Sequence, residues 1–195
     1  MTKAVWGARI RLAGALLCAL LVSSCGDQTL QGTASSYLII TSMTGPKGES
    51  TVLSDVITSV GGVPSTFNDS GQATFQLTLK DTGPTTSPNV PSQNNSITLT
   101  QYHVQYVRSD GHNIQGVDVP YAFDGAVTST ISGTSSVGFT LVRHTAKEEA
   151  PLATLASGSP PLTVIAQVTF FGHDQTGRET NVSGNIEITF SNFGD

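Results

Sequence analysis

The chain is poor in cysteine, tryptophan and charge. Two Cys among 195 residues exclude a disulfide scaffold. Charged residues make up only 12%, the net charge is −5, and no basic cluster follows Arg11, which speaks against a nucleic-acid binder. Glu, Lys, Ala and Leu are too sparse beyond the first two dozen residues for a uniformly helical protein. No apolar run reaches the ~20 residues that a membrane-spanning helix needs. Ser and Thr are abundant instead, 48 together, alongside 20 Gly and 9 Pro, and these are residues of turns and short strands. The length suits one domain with a substantial core.

The first segment has the layout of an export signal. Lys3, Arg9 and Arg11 form a positive start, and Leu12 to Val22 is an apolar run too short to span a bilayer. Leu21-Val22-Ser23-Ser24-Cys25 then resembles the bacterial lipobox, an aliphatic residue and two small residues before a Cys. The resemblance implies removal of residues 1–24 and lipidation of Cys25, so that the chain is held at the membrane by its acyl chains. Each acyl methylene buried in the bilayer contributes about 0.8 kcal/mol. Cleavage would also remove Cys18, Trp6 and three basic residues, leaving six basic and fourteen acidic ones and a net charge of −8. In Gram-negative lipoproteins an Asp directly after the Cys marks retention in the inner membrane. Here Asp27 stands one place later, which favours the outer membrane. Residues 26–36 carry almost no apolar side chains and read as a flexible tether, with the folded domain expected over 37–195.

From Tyr37 onward the pattern is short β-rich runs between turn clusters. Strands are expected over 37–43, less clearly over 52–60, and over 71–80, where Ala73, Phe75, Leu77 and Leu79 alternate with polar residues. Residues 81–95 hold three Pro and a single apolar residue, Val90, and read as an exposed loop. Strand 97–108 follows. Tyr102, Val104 and Tyr106 share its core face, but Ile97 and Leu99 are in the opposite phase, which predicts a bulge near Thr100–Gln101. Residues 117–123, interrupted by Pro120, read as an edge strand or loop. A hairpin is expected from strands 126–132 and 137–144 around Gly133-Thr134-Ser135. Residues 146–156 form the one helical stretch, limited by Pro151, and strands 162–171 and 180–190 close the chain around the turn 173–178. Seven to nine strands with regular turns predict an all-β antiparallel sandwich.

Two stretches carry a family resemblance. Ile97, Tyr102, Val104 and Tyr106, followed by Ser109-Asp110-Gly111, resemble the third strand of fibronectin type III and related sandwiches. Val168, Phe170, Gly172, Asp174 and Gly177, followed by 182–190, are similar to the last hairpin of bacterial immunoglobulin-like domains. The Trp and Cys pair of antibody-type domains is absent. The whole chain thus resembles a bacterial lipoprotein carrying an immunoglobulin-like sandwich, a fold that by itself names no function.

The search for chemistry yields few groupings. His103, His112, His144 and His173 have neither metal-ligand spacing nor a Cys to join them. No Ser stands in a Gly-x-Ser-x-Gly frame, and Glu148-Glu149 diverge by about 100° on a helix, which does not suit an acid/base pair. Asp110, Asp118 and Asp124, with Asn113 as a neutral ligand, are the candidate calcium site, since loops at one end of a sandwich can converge on a cation; the competing reading is ordinary Asp turn chemistry. The expectation is a non-enzymatic envelope lipoprotein, a structural or interaction module with a possible protein partner and no cofactor beyond the lipid. The alternative is a glycan- or calcium-binding module using loops 81–95, 109–125 and 172–179.

Overall fold

A computed structural model describes residues 32–194; the signal segment 1–24, Cys25 and the first part of the tether lie outside the described residues. The strands are β1 (Ser36–Thr44), β2 (Thr51–Asp55), β3 (Thr58–Val60), β4 (Val63–Ser65), β5 (Asp69–Leu79), β6 (Ile97–Val107), β7 (Phe123–Ile131), β8 (Thr134–Val142), β9 (Leu162–Asp174) and β10 (Glu179–Ser191). One sheet has the order β1-β5-β8 and the other β2-β10-β9-β6-β7, while β3 and β4 make a separate two-stranded ribbon. The fold is therefore an all-β sandwich with eight strands in its two sheets. The three-stranded sheet draws on β1, β5 and β8, and the five-stranded sheet on β2, β6, β7, β9 and β10. The exception to antiparallel pairing within the sheets is β2, which runs parallel to β10.

Alternation builds the core. Ala73, Phe75 and Leu77 of β5 and Val137, Phe139 and Leu141 of β8 face Tyr102, Val104 and Tyr106 of β6 and Val168 and Phe170 of β9, all buried. Phe170 receives Phe75 at 5.0 Å and Phe139 at 5.2 Å between ring centroids, both edge to face. The opposite phases within β6 are reconciled where expected: its pairing to both β7 and β9 shifts between Leu99 and Gln101. The Tyr106 hydroxyl donates to the Leu141 carbonyl at 2.8 Å, tying the sheets together, and burial raises the phenol's pKa far above its ordinary value.

The pairings give the sandwich two ends. At the base lie the chain's first described residues, the loop before β6, and the turn joining β9 to β10. At the apex lie the end of β6, the starts of β5 and β9, and the ends of β2, β8 and β10. The ordered body begins earlier than Tyr37. Thr33 and Ala34 donate to the Glu179 carbonyl at 2.8 and 3.3 Å, and Ala34 and Ser36 are buried, so 33–36 belong to the sandwich rather than to a tether. Gly32 is required there: its φ is +74°, and a Cβ would lie 2.1 Å from the Glu179 oxygen. The helical stretch is divided at Pro151 into α1 (His144–Lys147) and a 3₁₀ turn, Leu152–Ser157. Among the described residues no helix is long and apolar enough to cross a membrane.

Candidate functional site

The three loops of the ligand-binding reading do not gather. Strand β6 runs from base to apex, so the loop before it, 81–95, and the loop after it, 109–122, are separated by its whole length. The turn 175–178 stays at the base with the first of these. A clustering of 109–125 with 172–179 is therefore corrected by strand direction.

The candidate calcium ligands are each engaged locally. Asp110 accepts from the Arg108 guanidinium, with Nε at 3.2 Å, and from the His112 amide at 3.1 Å. These bonds, the Arg108 one foremost, hold its carboxyl below the usual range. Asn113 Oδ1 accepts the Arg108 amide at 2.6 Å, and Asp118 accepts the Ile114 amide at 3.0 Å. Asp124 faces His103 Nδ1 at 2.8 Å, across the β6–β7 pair. Asp110 and Asp118 border one recess and Asp124 another, and no group of three metal-ligating side chains occurs among the described residues. Turn and cross-strand bonds account for all three carboxylates. Asp174 is likewise a turn residue: its Oδ1 accepts from the Thr176 amide and hydroxyl and from the Arg178 amide, at 2.8, 2.6 and 3.0 Å.

The apex holds what the motif search missed. Val60, Val63, Phe67, Ile114, Val117, Tyr121 and Phe193 are 45–65% exposed, and all lie in segments at this end. The remaining exposed large apolar residues among the described ones are Ile39 and Leu53 on the flanks and Val90 in the basal loop. Three recesses lie at or just below the apex. One of about 470 Å³ lies between Val117, Pro151, Leu155 and Leu162, edged by Arg108, Asp110 and Asp118. One of about 500 Å³ is formed by Ile57, Pro64, Phe67, His144 and Glu148. The third, about 340 Å³, opens between β7 and β8 over Tyr102, beside Asn68, Asp124, Arg143 and His144. Arg143 stacks on Phe123 at 4.5 Å, and Asn68 Oδ1 accepts the His144 amide at 2.7 Å.

A buried ion pair braces this end. Lys147 Nζ donates to Asp69 Oδ1 at 3.0 Å and to the Asp55 carbonyl at 2.8 Å, and Ser54 Oγ donates to the other Asp69 oxygen at 2.5 Å. It links α1, the end of β2 and the start of β5.

The apical apolar residues come from 57–67, 114–121 and 193, stretches with no strong period, so only exposure in the fold reveals them as a group. No family model matches the chain, and no curated protein matches it.

Proposed function

We propose that the chain is a lipid-anchored envelope lipoprotein, placed at the outer membrane by its signal, whose immunoglobulin-like sandwich serves as a non-enzymatic interaction module. Its partner is a protein that covers apolar surface. The observation carrying this reading is the opposition of the two ends. The segment that leads back to Cys25 joins the body at Gly32, beside Glu179 at the base. Among the described residues, seven of the ten exposed large apolar side chains are at the apex, where an anchored chain would present them away from its tether. The anchor itself rests on the lipobox Leu21–Cys25. The glycan or calcium alternative has less support, because its loops lie at opposite ends and its carboxylates are bonded locally.

The experiment is a fractionation joined to site-specific cross-linking in cells. Cys25→Ser should abolish acyl labelling and release the protein from the membrane fraction. A photo-reactive residue at Phe67 or Val117 should cross-link a discrete partner, and one at Asn185 on the flank should not. Persistent labelling of Cys25→Ser would refute the anchor. Equal cross-linking from flank and apex would refute the apical contact.

A further inference from the structure

One long side of the sandwich ends in two bare strand edges. β7 bounds the five-stranded sheet and β8 bounds the three-stranded sheet, and no other strand pairs with either edge among the described residues. Each is nine residues long, and the two are joined by Ser132 and Gly133 alone. Across 123–142 the only charge is Asp124, and there is no Pro. Exposed edges are ordinarily protected by charge, Pro, shortness or a covering segment. The opposite side shows such protection: β2 is five residues long, is preceded by Glu49 and ends in Asp55, and β1 packs alongside β10. One amide of the bare side is already engaged, that of Thr140, which donates to the Tyr102 hydroxyl at 3.1 Å. The free part of β8 is thus Thr134–Phe139.

We propose that this side is a self-association surface, on which a second copy of the chain pairs its own β7 and β8 antiparallel to the first, about a two-fold axis crossing the basal half. A single extended peptide could complete only one edge. A second copy brings two edges at the same sheet separation, about 10 Å, and joins both sheets across the axis. Charge fits as well. The lone Asp124 is at the apical end of β7, so antiparallel pairing keeps it away from its symmetry mate, and like charges do not meet. The β7 edge spans roughly 30 Å and the free part of β8 about 20 Å, on sheets about 10 Å apart, a footprint at or below the small end of specific interfaces, so the association is weak and concentration-dependent.

The test is sedimentation equilibrium of the purified chain from low micromolar concentration upward, combined with hydrogen exchange at both extremes. Reversible dimerisation is expected, with amide protection in 126–139 rising with concentration. Thr128→Lys with Gly138→Lys should abolish the dimer and leave the far-ultraviolet spectrum unchanged. Both positions are exposed, and a Cβ at Gly138 has nothing closer than the Gly71 oxygen at 4.0 Å. Asn185→Lys, on the exposed face of the interior strand β10, should dimerise like the parent. A monomer at every concentration overturns the proposal. So does a dimer that survives both edge lysines, or one whose concentration-dependent protection lies outside 123–142. Should the double variant fail to fold, the exchange map of the parent chain decides.

Discussion

Replacing Lys147 by Met tests whether the buried ion pair braces the apex. The lysine side chain is 2% exposed and that of Asp69 is 19% exposed. Met fills the place of the aliphatic stem, so the change removes mainly the ammonium. Two acceptor relationships then fail: Asp69 loses its counter-charge and the Asp55 carbonyl loses a donor, while Ser54 stays as the remaining side-chain donor to the carboxylate. Breaking one side of a buried pair costs about 3–5 kcal/mol, and the residual solvent access and Ser54 bond at Asp69 reduce this to about 2–4 kcal/mol. For a chain of this size the melting temperature should fall by about 4–15 °C. Since the only Trp is residue 6, unfolding in urea should be followed by circular dichroism of the strands. Asp69→Asn in the Lys147→Met background removes the stranded charge while keeping an acceptor for Ser54. The double variant should therefore be more stable than the sum of the single losses implies, by about 0.5–3 kcal/mol. A Lys147→Met protein within about 0.5 kcal/mol of the parent, or strict additivity in the cycle, would refute the reasoning.

The remaining predictions concern the core and the base. Phe75→Ala should cost about 3–5 kcal/mol, because the ring is fully buried and edge-on to Phe170, whereas Gln76→Ala on the exposed face should cost less than about 0.5 kcal/mol; similar losses in urea melts would place the core on the wrong face of β5. At Asp174, burial pushes the carboxyl up, but bonds from the Thr176 hydroxyl and from the Arg178 and Thr176 amides outweigh it, and the folded-state pKa is lowered. The unfolded chain therefore takes up its proton first as pH falls. The stabilisation is complete above the ordinary carboxylate range and is lost as pH drops through the lowered value. Asp174→Asn should flatten the acid limb of a melting temperature–pH profile, and an unchanged slope would count against this assignment.

What could be read in the sequence follows the range of the forces involved. Strand β5 was legible because one face meets the core and the other meets water, so Ala73, Phe75 and Leu77 had to alternate with polar neighbours. The phase change in β6 was legible for the same reason, since a shift of one residue would otherwise turn Ile97 and Leu99 outward. Tyr102 and Tyr106 fell in the core as their spacing required. Between 44 and 70 this logic fails. β2 pairs with β10, more than a hundred residues away and in parallel, and β3–β4 has no buried face to impose a period. The local pattern sets the hairpin turn at Gly133–Ser135, one step late, whereas Thr134 and Ser135 pair with Gln76 and Phe75 and belong to β8. The candidate carboxylates were visible as residues, but their destinations depended on strand direction, which a local pattern does not carry. Lys147 and Asp69 stand far apart in sequence and gave no signal of their meeting.

The base and the apex differ in the character of their bonds, and that difference orders the molecule. At the base, the chain's first described residues are fastened by backbone and side-chain donors: Thr33 and Ala34 to Glu179, Lys80 to the Gly32 carbonyl, and Asn95 to the Ser35 hydroxyl. Such bonds resist displacement of the segment that leads back toward Cys25, as the proposed anchoring would require. At the apex, one buried pair holds α1 to both sheets, and the surface around it is left apolar and recessed. Rigid support beneath uncovered apolar side chains lowers the ordering cost of binding, because the surface is already shaped before a partner arrives. Under the proposed function, loss of Lys147 should therefore weaken apical cross-linking and leave acyl labelling at Cys25 unchanged. If Lys147→Met remains folded and cross-links from Phe67 at the parent yield, the brace serves stability alone and the apex does not need preorganisation.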